Sequence, residues 1–417
     1  MSDTAARKRV LLVQPSVQPP GGGNGVAAWM LHALQGDYDV SVLTLTPFDA
    51  ESINRFYGTS IDSSRITPLQ GLPRLYALLT KLKTPLALLK SSLLFREMHR
   101  LGKAAKGATP ALGGGWDLVI TANNEADLHR PGIQYVHYPA YMRPRPDVDR
   151  RSYHVNRLMD LYYELCDRLA GVTRGGVMRN LSLVNSDWTG RLMSAWYGGT
   201  ETVTLYPPVA GDFPAVPWEQ RAVSFVCIGR ISPEKELDRV LDILSAVRRR
   251  FPAVRLSIIG TSGPDGYTRH VLGRIAEERE WVTLHENISR AELVRLVASH
   301  RFGLHAMAAE HFGMGVAEMV RAGVVTWVRN GGGQVEIVGN DERLLYESND
   351  EAIAKICAAL ADDAHALALR AQVLAQRDRF SEGVFVDDFR RIVADYLAGG
   401  YADRPAVQDS RRARVNG

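Results

Sequence analysis

Residues able to do chemistry gather at a few places in the chain. The segment Gly229-Arg230-Ile231-Ser232-Pro233-Glu234-Lys235 sets a guanidinium and an ammonium around a glycine and a proline. It follows an apolar run, Ser224–Ile228, and precedes a stripe at Leu237, Val240, Leu241, Leu244 and Val247 that has helical spacing. A helix N-terminus offers unpaired N–H groups and the positive end of the helix dipole, so such a junction suits a phosphate. Arg230 would grip it as a planar fork and Lys235 as a point charge. The plainer reading is a surface loop with solvated charges, and the segment alone leaves both open.

A second cluster is Glu310-His311-Phe312-Gly313-Met314-Gly315-Val316-Ala317-Glu318. Its glycines allow backbone to approach a ligand closely. Carboxylates accept hydrogen bonds from vicinal hydroxyls in pairs. With a helix starting near Gly313, Glu310 lies in the loop before it and Glu318 two turns inside. One carboxylate then faces a sugar ring and the other a ribose. The alternative pairs the interior acid with a nearby arginine such as Arg321; the glycine-rich turn favours the ligand.

Two further places belong to the first half. His137, in Gln134-Tyr135-Val136-His137-Tyr138-Pro139, is expected at the C-terminal end of a strand, where doubly wound folds bind ligands. His311 is a rival only by its place beside Glu310. Gly22, Gly23, Asn24 and Gly25 form a loop after the first apolar run. It lacks the G-x-G-x-x-G order, which excludes a nicotinamide cofactor, yet its N–H groups could serve an acceptor or a phosphate. Between Tyr76 and Lys106, leucines alternate with Lys81, Lys83, Lys90, Arg96, Arg100 and Lys103. That pattern suits an anionic bilayer surface, but a helix pair packed on the first sheet with its bases in water is slightly favoured.

The elements that must position these residues form two successive arrays. Val10–Val13, Val40–Leu43, Leu118–Ile120, Gln134–Val136 and Leu183–Val184 read as buried strands of one sheet. Ser224–Ile228, Leu256–Gly260, Trp281–Leu284, Phe302–His305 and Val324–Trp327 read as strands of another, and Ser289 with Glu292 forms a capping box. Two βα arrays imply two doubly wound α/β domains facing a central cleft. Tyr206-Pro207-Pro208 marks the boundary, giving domains of 1–208 and 209–381, a last helix at about 382–400 that completes the first, and a polar tail over 401–417. A length of 417 residues fits two domains, and 46% hydrophobic with 23% charged residues is globular. A net charge of +4 does not mark a nucleic-acid binder. Three cysteines lie far apart without metal-ligand spacing, which points to a reducing compartment. No run is long and apolar enough to span a membrane.

The combination resembles family 4 of the retaining glycosyltransferases, which have the GT-B fold. Glu310 to Glu318 matches that family's E-x7-E motif, and Gly229-Arg230 with Lys235 its phosphate-binding element. Asn185-Ser186, Leu205-Tyr206-Pro207-Pro208-Val209, Gly332-Gly333 with Glu336, and Phe380-Ser381 before the last helix fit the same pattern. Val136–Pro139, Asn185–Thr189 and Glu310–Gly313 look like the mannosyltransferases that elongate lipid-linked oligosaccharides. The resemblance implies a nucleoside diphosphate-sugar donor, GDP- or UDP-linked, as substrate. Gly229, Arg230, Lys235, Gly260, His311, Phe312, Gly313, Met314, Gly315 and Glu318 would then bind the donor. His137, Arg230, Lys235 and Glu310 would carry catalysis, with retained configuration. It implies no cofactor and no metal, since arginine and lysine meet the diphosphate charge. The acceptor would be a glycan, glycolipid or small-molecule hydroxyl, and the location cytoplasmic or peripheral at the membrane's cytoplasmic face. A sugar-nucleotide 2-epimerase and a non-catalytic partner of another transferase are the competing expectations.

Overall fold

The computed structural model describes residues 6–71, 87–104, 115–141, 157–200 and 202–401. These divide into two compact units. One runs from the N-terminus to Asn185, takes in Thr189–Leu205 and resumes at Val386; the other holds Ser186–Trp188 and Tyr206–Phe385.

The first unit is a seven-stranded parallel sheet. Its strands are β1 (Arg9–Val13), β2 (Asp39–Thr44), β3 (Ile66–Gln70), β4 (Leu118–Thr121), β5 (Ile133–Val136), β6 (Leu181–Val184) and β7 (Thr202–Thr204), in the order β3-β2-β1-β4-β5-β6-β7. β4, β5 and β6 are buried at every position, as strands covered on both faces must be. Strand order reverses between β1 and β4, which makes the C-terminal ends of β1, β4 and β5 the natural place for a ligand.

Helix α1 (Gly22–Leu34) begins earlier than its glycines suggest. Gly22 to Gly25 form its first turn and not a loop, which corrects the sequence reading. Packing demands glycine there: a Cβ on Gly23 would sit 3.2 Å from the His137 ring, and one on Gly25 3.0 Å from Tyr57. Tyr57 closes helix α2 (Ala50–Tyr57), which Asp49 caps through the N–H groups of Glu51 and Ser52.

The basic amphipathic stretch is described over helix α3 (Ala87–Ala104); residues 76–86, with Lys81 and Lys83, and 105–106 lie outside the described residues. Leu94, Phe95 and Met98 are buried against Leu11, Val13, Leu43 and Val119. The apolar face of α3 thus covers the sheet, and the packed-helix alternative holds for this segment. Among the described residues, no helix is long and apolar enough to cross a membrane. The unit continues through α4 (Arg157–Ala170), α5 (Arg174–Met178) and, from Thr189 on, α6 (Asp187–Tyr197).

The second unit is a six-stranded parallel sheet. Its strands are β8 (Ala222–Ile228), β9 (Leu256–Gly260), β10 (Val282–Glu286), β11 (His300–His305), β12 (Val325–Arg329) and β13 (Leu345–Tyr346), in the order β10-β9-β8-β11-β12-β13. Between them run α7 (Leu237–Arg250), α8 (Gly266–Glu277), α9 (Arg290–Ala298), α10 (Met314–Arg321) and α11 (Gln334–Ile337). Helices α12 (Asn349–Ala361), α13 (Asp363–Gln376) and α14 (Glu382–Leu397) follow, the last passing back into the first unit at Val386. Ser289 and Glu292 cap α9 reciprocally, as their spacing predicts. Trp218, Phe225, Phe302 and Trp327 pack against one another through the core with neighbouring ring centroids 5.3–6.3 Å apart. Here the strand order reverses between β8 and β11.

Candidate active site

The segment after β8 turns where it must. Gly229 is anchored by its N–H to the Ile259 carbonyl at 2.9 Å. Pro233–Lys235 then form a 3-10 turn, and Glu236 takes a left-handed conformation with φ 46°. Arg239 and Arg329 hold the Glu236 carboxylate at 2.6 and 3.1 Å, which supports that backbone. Helix α7 therefore starts only at Leu237, one short turn later than a direct strand-to-helix junction. The turn folds the Lys235 side chain back over Gly229, and its ammonium pairs with Glu310 Oε2. Lys235 and Glu310 are 17% and 13% exposed, so the pair is half-hidden at the C-terminal ends of β8 and β11. Arg230 instead points outward at 73% exposure, 3.4 Å from Glu234. The structure brings Lys235, Glu310 and Gly229 together and leaves Arg230 apart from them.

Gly260 has a backbone role. A Cβ there would collide with the Gly229 carbonyl. Gly260→Ala will force the Gly229–Arg230 backbone aside at a cost of about 1–3 kcal/mol. A lower melting temperature checks this; an unchanged one would show that the β8 and β9 ends are slack.

Glu310 sits in a loop fixed on several sides. It bridges to Gly332, and its carbonyl accepts the Gly333 N–H at 2.7 Å. Gln334 locks the same loops, donating to the carbonyls of Met307, Arg329 and Gly331 at 2.7–3.0 Å. The buried His305, last residue of β11, places Nε2 3.2 Å from Glu310 Oε2. Burial by itself would push the Glu310 carboxyl up, but the His305 hydrogen bond and the Lys235 charge hold it well below the usual carboxylate range.

Helix α10 begins at Met314, with Gly313 before it at φ 114°. Glu318 is its fifth residue, just over one turn inside and not two, which corrects the expected placement. The alternative that pairs it with an arginine holds in the free protein, although the arginine is not Arg321, which pairs with Glu382 at 2.7 Å. Glu318 is instead held by Arg290, whose Nε also donates to the Ala210 carbonyl at 3.0 Å and whose guanidinium lies 5.6 Å from the Phe213 ring. Gly315 packs its backbone on β8, where a Cβ would come within 2.7 Å of the Ile228 carbonyl. Phe312 is a core residue, its ring 5.8 Å from Phe380, so only its backbone can face a ligand. His311 stacks with Trp188 at 6.0 Å, and its carbonyl accepts from Ser186 Oγ at 2.7 Å.

In the first unit, His137 follows β5 directly. Its ring Nε2 lies 3.1 Å from the Ala122 carbonyl, beside the first turn of α1. Asn124 accepts the N–H groups of His137 and Tyr138 at 2.9 and 3.0 Å, and Asn185 donates to the His137 carbonyl at 2.9 Å. The buried Glu125 accepts the N–H groups of Ala140 and Tyr141 at 2.9 and 2.7 Å and the Tyr197 hydroxyl at 3.2 Å. Burial pushes its carboxyl up against the pull of those donors. Glu125→Ala will orphan two N–H groups of this loop at a cost of about 2–4 kcal/mol. Glu125→Gln, which keeps an acceptor, will cost less. Thermal melting of the two variants checks the order, and equal losses would show that packing rather than hydrogen bonding holds the loop.

His305, Arg290, Gln334, Asn124 and Glu125 were not singled out in the sequence. His305 acts on the Glu310 side chain five residues on, across a strand end and loop where no helical or strand period applies; the others act through partners remote in sequence or through backbone, and no spacing rule connects them to the residues they hold.

Two doubly wound parallel sheets with these sites at their switch points define a class, and the fold is GT-B. Residues 212–376, within the second unit, match the family described as Glycosyl transferases group 1. The chain is 27% identical over 288 residues to the human GDP-Man:Man(3)GlcNAc(2)-PP-Dol alpha-1,2-mannosyltransferase, covering 60% of this chain and 58% of that protein. The mouse protein of the same name is 28% identical over the same shares. The chain thus spans less than two thirds of the length of these curated relatives. Among solved structures, WaaG, a glycosyltransferase involved in lipopolysaccharide biosynthesis, superposes with a TM-score of 0.64 at 15% identity, over 94% of this chain and 100% of its own. HepE from Anabaena, in complex with UDP-glucose, gives 0.61 at 14% identity, over 93% and 99%. The resemblance to GT-B glycosyltransferases, with mannosyltransferases among the relatives, is borne out.

Proposed function

We propose that the chain is a glycosyltransferase that moves a hexosyl group, mannosyl by preference, from a nucleoside diphosphate-sugar to a hydroxyl acceptor. One observation carries the reading: the Lys235–Glu310 pair at the switch point of the second sheet, inside the segment that matches Glycosyl transferases group 1. The names of the curated relatives favour GDP-mannose as donor and a lipid-linked oligosaccharide as acceptor.

In this reading Lys235 leaves Glu310 for the donor diphosphate and stabilises the charge that grows as it departs. Arg230, exposed and on a long stem, turns in to the same phosphates. Glu310 then accepts hydrogen bonds from the donor sugar. Glu318, with one oxygen held by Arg290, offers the other to the ribose hydroxyls. The acceptor hydroxyl attacks from the face that the diphosphate leaves, and the leaving phosphate takes its proton, so configuration is retained. The two cations supply the charge that a metal would otherwise bring.

Turnover of GDP-mannose with a lipid-linked oligosaccharide acceptor tests the reading, beside UDP-glucose as rival donor. Proton NMR of the product's anomeric centre tests retention. A donor converted to its 2-epimer without acceptor would replace the transferase reading with the epimerase one. Activity that survives exhaustive chelation would support metal independence.

A further inference from the structure

We propose that His305 is a positioning residue that keeps Glu310 in place while Lys235 is drawn away to the donor's phosphates. The proposal rests on the assignment of Lys235 to the diphosphate. Two donors converge on one carboxylate oxygen: the Lys235 ammonium and the His305 ring both face Glu310 Oε2. They differ in freedom. Lys235 reaches the oxygen on a flexible four-carbon stem from a short turn. His305 is 3% exposed, stands at the end of a central strand, and has its carbonyl held by the Tyr346 hydroxyl at 2.8 Å. One donor can leave, and the other cannot.

The donor's diphosphate carries two negative charges in all and draws an ammonium more strongly than a single carboxylate does. Once Lys235 turns to it, Glu310 would be a buried carboxylate without its cation. Such a group takes up a proton or swings toward water, and either change costs it the acceptor geometry that a sugar hydroxyl needs. The His305 N–H prevents both. Burial keeps the imidazole neutral against the pull of Glu310, so it donates through Nε2 without adding a charge that would compete for the phosphate. The charged and titratable groups that bear on Glu310 are Lys235, from the turn after β8, and His305, from β11; Gly313 and Gly332 bring only backbone and a Cβ-free approach.

The test uses the full chain with His305→Gln and His305→Leu. The amide nitrogen of glutamine reaches about where Nε2 stands; leucine fills space without a donor. The first readout is melting temperature against pH, with no substrate present. Glu310 titrates below its unfolded value, so its contribution to stability is present above about pH 4.5 and lost as pH falls. Without the His305 donor that contribution shrinks. Wild type also loses stability as pH falls through the unfolded value of its buried imidazole, so the two variants, which both lack the ring, are compared with each other: the margin of His305→Gln over His305→Leu is expected to hold from pH 7 to about pH 4.5 and to narrow below it. The second readout uses GDP and GDP-mannose. His305→Leu is expected to lower kcat by about tenfold or more and to raise the Kd for GDP by no more than about threefold, with glutamine restoring most of kcat. A margin between the two variants that does not narrow below about pH 4.5, or a glutamine variant as impaired as the leucine one, overturns the proposal. A margin that does narrow in a protein that binds no GDP would keep the His305–Glu310 link and sink the donor assignment instead.

Discussion

Lys235→Met will lower kcat/KM for the sugar-nucleotide by about 10²–10³-fold, the range for losing one preorganised donor at a developing charge, or about 2.7–4 kcal/mol. The same substitution removes the cation from a carboxylate that is 13% exposed, so it will also destabilise the free protein. These two effects separate in a double-mutant cycle. Glu310→Gln on the Lys235→Met background removes the uncompensated charge and will recover much of the lost melting temperature, but none of the lost activity. Calorimetry with GDP completes the set, since the single lysine variant should lose affinity for the nucleotide itself. Wild-type kcat/KM in Lys235→Met would remove the ammonium from the chemistry and leave the pair as a structural ion pair of the β8 and β11 ends.

His137→Ala will lower kcat by about 10²-fold while the Kd for GDP stays within about twofold. The proposed nucleotide contacts all belong to the second unit, and His137 belongs to the first. Truncating its ring removes a group whose backbone is held on both sides, by Asn124 and Asn185, so the loop itself should stay in place. Gly23→Ala provides the control. Its new Cβ would press on the ring at 3.2 Å without removing it, and should reduce kcat in the same direction but less. A loss of GDP affinity as large as the loss of kcat would show that His137 supports the protein's structure rather than turnover.

Much of this was legible in the sequence, for an identifiable reason. Buried parallel strands are continuous apolar runs, so Val10–Val13, Leu118–Ile120 and Ser224–Ile228 announced themselves before any fold was known. Ser289 and Glu292 act on each other across one helical turn, which spacing alone specifies. Glycine was read less well. Gly22 to Gly25 signalled a break yet form a helical turn; the glycines at 23 and 25 answer instead to a histidine and a tyrosine that crowd the Cβ positions there.

The charged residues divide along the same line. Their types and order determined that Lys235, Glu310 and Glu318 could serve a phosphate and sugar hydroxyls, since that chemistry follows from functional groups and their position beside strand ends. Which charges meet was a tertiary decision. Glu318 passes over Arg321, three residues away on its own helix, for Arg290, 28 residues away, because the latter's guanidinium is also anchored on the Ala210 carbonyl. Arg230 and Lys235 share one short segment, yet the turn at Pro233–Lys235 sends one into solvent and the other over Gly229 onto Glu310. A sequence determines which groups a chain carries and which backbone they prefer. Only the folded sheets determine which of them are desolvated together, and desolvation is what turns a charge on a surface into a charge that must have a partner.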